Sequence, residues 1–372
     1  MSAGSPTQAL GYRPTLDGLR AVGIALVVLV HYCGVAGGYL GVDLFFVLSG
    51  FLITTLLLEE RDGFGSVSLS RFYRRRALRL VPALAVLLGF YVALIVVGVV
   101  SDHHFVDESV VWRQVAYGAT YTMNLGLIWD SLPAQDLKHL WSLAMEEQFY
   151  LVWPAVLVAL GAGTGRVRRA GPLVAAAVVA VVAVRTALAP AHPTTLDAGS
   201  VTRFDSILVG CVAAFARRHA PGWTRRAGTP ATAAVAAAAM AVLVVVARPS
   251  APYDGLLTAF DVAAAVCLLG VLDGQGPLAR GLALRPVVFV GQISYALYLW
   301  HRPAIIFAGR AHLMDRLGVV PGKLVALAAS VAVATLSYRL VERRFLRRKR
   351  RLARASSHDA ELVVPGPALA EA

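Results

Sequence analysis

The chain has 372 residues, of which 58% are hydrophobic and only 15% charged, whereas a soluble domain carries about 25% charge. A mean hydropathy of +0.66 and recurring apolar runs of roughly 20 residues exclude a single soluble domain and indicate a polytopic membrane protein. The net charge of +13 does not indicate nucleic-acid binding, because the basic residues form short runs between apolar stretches and no single face with stacking aromatics. The cysteines, Cys33, Cys211 and Cys267, all sit in apolar stretches. They give neither a disulfide framework nor a metal spacing, so no bound metal or resident cofactor is expected.

The first apolar run, 19–36, has the length of a signal-peptide core. A second run follows at once with no small-residue cleavage site between them, so a retained membrane helix is expected. Nine more spans are read at 41–58, 79–100, 140–160, 172–190, 204–217, 231–247, 255–272, 288–309 and 320–342. The expected fold class is all-α, a polytopic bundle of about ten transmembrane helices. An N-terminus in the cytoplasm puts most of the 35 Lys and Arg residues inside, including Arg71, Arg74, Arg168, Arg169 and the run from Arg343 to Arg351. The positive-inside rule then makes both termini cytoplasmic. Residues 1–346 are read as one transmembrane domain and 347–372 as a basic, disordered tail near anionic headgroups. Within the external stretch 101–139, the apolar and aromatic segment 111–129 is read as amphipathic or re-entrant.

Ionisable groups inside such spans are costly and mark candidate sites. Arg20 and His31 are eleven residues apart, which places them within about 20° on one helix face and about 16 Å apart along the axis. The plainer alternative is a snorkelling arginine and a histidine bonded to a neighbouring carbonyl. Asp43 opens the second span across a glycine-containing turn, where a carboxylate can orient an imidazole and stabilise its protonated form. A helix-start aspartate favoured by the N-terminal dipole is the competing reading. Gly50, on the same face as Asp43, lets another helix or a substrate approach closely.

The inner segment "SRFYRRRALRLVP" gathers guanidinium groups at the membrane surface, either to set topology or to clamp phosphate. In "HLWSLAMEEQFYLVWP", His139, Ser142, Glu146 and Tyr150 fall at i, i+3, i+7 and i+11 on one face. Glu146 must there be paired, protonated or solvated, with a purely structural hydrogen-bonding role as the alternative. Arg203 and Asp205 flank the outer mouth of the sixth span. In "GQISYALYLWHRP", Ser294, Tyr298 and His301 share a face. Arg339 and Glu342, three apart in "SYRLVER", suit a structural pair at the inner surface.

Taken together, these segments resemble acyltransferase family 3, integral membrane proteins that acylate hydroxyl groups of glycans and some secondary metabolites. "LDGLRAVGIALVVLVHY" is similar to the family's Arg-x10-His motif, at Arg20 and His31. "GVDLFFVLSGFLI" is similar to its second-helix signature and carries Asp43, and "RRALR" to its Arg-Arg-x-x-Arg motif at Arg75, Arg76 and Arg79. "LWSLAMEEQFYLVWP" resembles the fourth-helix signature with Glu146 and Glu147, although Met145 stands where valine is usual. "TRFDSILVG" and "ISYALYLWHRP" are also close to family segments, and the resemblance covers about residues 10 to 346. It implies O-acyl transfer from cytoplasmic acyl-coenzyme A to an acceptor hydroxyl. One branch of the family continues into an extracytoplasmic hydrolase-like domain after the tenth helix. None is expected here, and the membrane domain itself or a separate partner is expected to load the acceptor.

The expected site then has three parts. Arg20, Arg75, Arg76 and Arg79 hold the phosphates of acyl-coenzyme A, acetyl-coenzyme A being the expected co-substrate. His31 acts as general base or as a transient acyl carrier, and Asp43 orients it. Glu146 is the third catalytic candidate and, with His139 and His301, lines the external half of the cavity. Ser142, Tyr150, Arg203, Asp205, Ser294 and Tyr298 complete the candidates for a saccharide or glycosylated acceptor. The other expected partner is the lipid bilayer of the cell membrane. A proton-coupled transporter is the main alternative, although no Gly/Pro-interrupted spans correspond in two halves, and a non-catalytic scaffold or sensor is the second.

Overall fold

A computed structural model describes residues 10–97, 108–129, 136–160, 167–188, 199–247 and 255–347, all of whose regular elements are helical. The expected tail beyond residue 347 lies outside the described residues. Helix α1 (Pro14–Val28) starts with proline in its first turn and runs into a π-helical turn, Leu29–Cys33. Gly34, at φ 72°, ends that turn, a left-handed conformation that glycine adopts without steric cost. A 3-10 turn, Ala36–Tyr39, leads into α2 (Leu40–Phe64). Then come α3 (Leu69–Val96), α4 (Glu108–Ala119), α5 (Met123–Trp129), α6 (Leu140–Ala159), α7 (Val167–Leu188) and α8 (Ser200–His219). The chain continues through α9 (Pro221–Ala227), α10 (Pro230–Val246), α11 (Leu256–Val271), α12 (Gly276–Leu282) and α13 (Arg285–Gln292). It closes with α14 (Ser294–Arg310), α15 (Leu313–Leu317) and α16 (Val319–Ser337), which runs into a second π turn, Tyr338–Glu342.

Among the described residues, five helical stretches are long and apolar enough to cross a membrane: Pro14–Cys33, Ala36–Phe64, Leu69–Val96, Ala170–Leu188 and Val319–Arg347. The count rises to seven if α9 with α10, bent by 63°, and α11 with α12, bent by 92°, each form one span. The protein is therefore a multi-pass membrane protein. Three of the ten expected spans fall outside that count. They are α6, α8 and the stretch 288–309, which breaks at Ile293 between α13 and α14. Each carries ionisable residues that lower its apolar character, and those residues build the interior described below.

The arginine-rich segment expected as an inner loop is instead the start of α3. Arginine is a good helix former, and the Ser68 hydroxyl caps the helix by accepting from the Arg71 amide. Arg75, Arg76 and Arg79 thus project from a rigid helix. The surface polarity is inverted as lipid requires: Val96, Val179, Val235, Val245, Val320 and Leu324 are exposed, whereas Asp43, Asp205 and Asp261 are buried. Helix α2 lies along α8, α7 covers α8, α10 pairs with α11, α1 packs on α2 and α13, and α14 on α16. At the α2–α8 crossing, a Cβ on Gly50 would strike the Ile207 carbonyl, and one on Gly210 would strike the Val47 carbonyl. Of the two uses read for Gly50, the close approach of another helix is the one seen.

Candidate active site

One cavity is walled by α1, α2, α3, α6 and α14. Arg20, Arg76 and Arg79 line it together with Ser49, Glu146, Ser142, Ser294 and Tyr298. A second cavity shares Arg20, Ser49, Arg76 and Arg79 and adds Arg75 and Tyr150. Residues assigned from sequence to opposite halves of the site therefore meet in one place. The three arginines are not equivalent. Arg76 is fixed: its guanidinium lies 3.2 Å from the Tyr150 ring centroid and its Nε bonds Glu147 at 3.4 Å. Arg20 and Arg79 repel one another, and among the described residues neither makes an ion pair. Arg20 Nε also lacks a hydrogen-bond partner. Arg75 is already committed to Glu60 at 2.5 Å. Glu146 accepts from Ser49 and, at 3.3 Å, from the Tyr150 hydroxyl. Two close guanidinium forks with no carboxylate bonded to them among the described residues are arranged for an external anion that can accept several hydrogen bonds.

Three histidines cluster beside Tyr298, one of the residues that line the first cavity. His31 and His301 have ring centroids 4.9 Å apart, and His139 and His301 5.4 Å. Each ring has one nitrogen against a backbone carbonyl: His31 Nδ1 to Val27 at 2.8 Å, His139 Nε2 to Leu299 at 3.1 Å and His301 Nδ1 to Tyr298 at 2.7 Å. A carbonyl can only accept, so each of those nitrogens carries the proton. The lone pairs are left on His31 Nε2, His139 Nδ1 and His301 Nε2, and the last two have no partner among the described residues. His31 lies in the π turn, and its own helix, not a carboxylate, sets its tautomer. A bidentate pair from Arg310 to Asp136, 2.9 Å at both oxygens, ties the segment before α6 to α14. It thereby holds His139 against His301. Among the described residues, no group of three His, Cys, Asp or Glu side chains can hold a metal.

Asp43 does not orient His31, contrary to expectation. Its Oδ1 accepts from Arg203 Nη2 at 2.8 Å and from Ser206 Oγ at 3.2 Å. Ser206 also contacts Asp261 at 2.8 Å. Asp205 is held by Arg185 at 2.6 Å and by Thr258 at 3.2 Å, and Arg185 also reaches Thr258 at 2.7 Å. Arg203 and Asp205, expected at an outer substrate mouth, are 4% and 0% exposed and belong to this network between α2, α7, α8 and α11. A carboxylate in hydrocarbon needs the nearest guanidinium, and for Asp43 that group comes from α8. The π turn directs the histidine elsewhere.

Sequence reasoning missed Arg185, Asp261 and Ser49. The first two did carry a signal, a lone charge within "VVAVRTAL" and "AFDVAAAV". Ser49 carried none, because a serine is unremarkable in a membrane helix. Arg339 and Glu342 form no ion pair with each other. Glu342 is buried and interacts electrostatically with Arg79 and Arg20.

The chain is 28% identical over 356 residues to O-acetyltransferase OatA of Staphylococcus aureus strain NCTC 8325 / PS 47, a match covering 89% of this chain and 57% of the relative. The same figures hold for O-acetyltransferase OatA of Staphylococcus aureus strain MRSA252. The chain thus spans little more than half the length of these curated relatives. No solved structure matches. A family model described as an acyltransferase domain, Acyl_transf_3, matches residues 13–339. That match takes in every wall of the arginine-lined cavity and all three histidines, and the chain belongs to acyltransferase family 3.

Proposed function

We propose that the protein transfers an acyl group, acetyl by analogy with the relatives' names, from cytoplasmic acyl-coenzyme A to a hydroxyl of a saccharide or glycosylated acceptor. The observation that carries this reading is the pair of guanidinium groups, Arg20 and Arg79, without an ion-pair partner among the described residues, in a cavity whose Tyr298 touches the rings of His139 and His301. Coenzyme A is polyanionic and stays out of hydrocarbon, so its phosphates bind Arg20 and Arg79 beside the immobilised Arg76. The pantetheine arm then extends along the α1 stripe by about 16 Å, the axial rise from Arg20 to His31.

His31 Nε2 takes the acceptor proton as the hydroxyl oxygen attacks the thioester carbonyl. The C–O bond forms, the C–S bond breaks, and the proton passes to the leaving thiolate. The Nδ1–H bond to Val27 holds the ring in the tautomer this needs. His139 Nδ1 and His301 Nε2 accept from further hydroxyls of the acceptor, which suits a polyol. Ten spans in the cell membrane with both termini cytoplasmic, the orientation read from the charge pattern, put the arginines on the coenzyme A side.

Thiol release from acetyl-coenzyme A by the purified protein, given a pool of sugar acceptors, tests the reading. The wild type is expected to release thiol, and His31→Ala to lose at least about a hundredfold of that rate, the scale of general-base catalysis. Equal release by the two would overturn the role of His31. Proton-dependent flux of a substrate without acyl-coenzyme A turnover would replace the enzyme by a transporter.

A further inference from the structure

The donor cavity does not reach His31. No histidine is among the residues that line it, whereas Ser142, Leu143 and Tyr298 are. The Tyr298 ring is 5.6 Å from His139 and 5.5 Å from His301, centroid to centroid, and His301 in turn touches His31. Tyr298 is held in this position twice. Its hydroxyl donates to the His139 carbonyl at 2.6 Å and accepts from Ser142 Oγ at 2.5 Å. These bonds join α14 to α6 at the cavity wall, and one side chain, Tyr298, both lines the cavity and touches the histidine rings. The side chains of Ser142 and Tyr298 are buried, and both hydroxyls are satisfied by each other and by backbone.

We infer that Tyr298, latched by Ser142, is a positioning residue that seals the donor cavity from the histidine cluster and is parted by the incoming acylated arm. This rests on the donor reading above, because an arm anchored at Arg20 must pass Tyr298 to bring its thioester to His31. In the sealed state, water and protons are kept from a path that would otherwise run from the arginine end to the outer half of the membrane. When the arm enters, the Ser142 and Tyr298 hydroxyls exchange each other for the polar groups of the arm and line it up with His31 Nε2. The chemistry that the seal suppresses is hydrolysis. Water in place of the acceptor attacks the thioester carbonyl, a C–O bond forms, the C–S bond breaks, and a carboxylic acid and free thiol result.

The test is thiol release from acetyl-coenzyme A by full-length protein, with and without sugar acceptors, for the wild type, Tyr298→Phe and Ser142→Ala. Tyr298→Phe keeps the ring and removes both hydrogen bonds, so the ratio of acceptor-independent to acceptor-dependent release is expected to rise about tenfold. Ser142→Ala removes one bond and is expected to raise the ratio severalfold. A purely structural role would lower both releases together and leave the ratio at the wild-type value in both variants, which would overturn the inference. A wild type that releases no thiol under either condition would overturn the donor reading itself, and this inference with it.

Discussion

Two clusters of buried charge lie within this helical bundle, and they differ in whether their charges are already answered. Around Asp43, two arginines and three aspartates from α2, α7, α8 and α11 bond to one another through Ser206 and Thr258. Around Arg20 and Arg79, two guanidinium groups face each other across a cavity with no ion-pair partner among the described residues. The first cluster holds helices together. The second, on the proposed reading, is completed by the phosphates of the donor. Both contain residues of the family's motifs, so the residue type at a motif position does not by itself separate a structural charge from a functional one. The pairing does.

Breaking the closed cluster has the largest expected effect. Arg203→Ala leaves Asp43 buried without its guanidinium, and loss of one partner of a buried pair costs about 3–5 kcal/mol. A steep drop in thermal stability in detergent is the expected readout, and an unchanged melting temperature would remove the structural assignment. Within the same cluster, Asp261 is bonded by Ser206, and Arg203, bonded to Asp43, acts on it electrostatically. Asp261→Asn keeps the shape and the hydrogen bond, so its cost is expected to stay near 1 kcal/mol, well below that of Arg203→Ala. Comparable losses from the two would show that the network does not divide as its geometry indicates. The smallest effect on stability belongs to the open cluster. Arg79→Ala removes a like charge from Arg20 and is expected to leave the melting temperature unchanged or slightly raised. A drop as large as that of Arg203→Ala would close the gap between the two regions.

The helices themselves could be read from sequence because membrane spans are set by length and composition. Even α6 and α8, whose charges put them below a hydropathy threshold, lie where their apolar runs predicted. The start of α3 was not legible, since an arginine run reads as a surface loop until the Ser68 cap and the helical propensity of arginine are weighed together. Of the four residues that spacing put on one face, Ser142, Glu146 and Tyr150 line the two adjoining cavities, whereas His139 precedes α6 and lines neither. Spacing could not tell which arginine Asp43 would choose, because Arg203 is 160 positions away and a single sequence holds no record of that contact. Nor could it bring His139 and His301 to His31, which depends on how α14 crosses α1 and α6. The same limit explains why Arg75 looked equivalent to Arg79 within one motif, although Glu60 from α2 has already claimed it.

Calorimetric binding of coenzyme A to the purified protein tests the central claim, that the unpaired arginines are the donor's phosphate site and the histidines are not. The account predicts that Arg20→Ala and Arg79→Ala each weaken binding by about tenfold or more, the loss of a charge-assisted hydrogen bond. It predicts that His31→Ala binds like the wild type. Wild-type affinity in both arginine variants would contradict it.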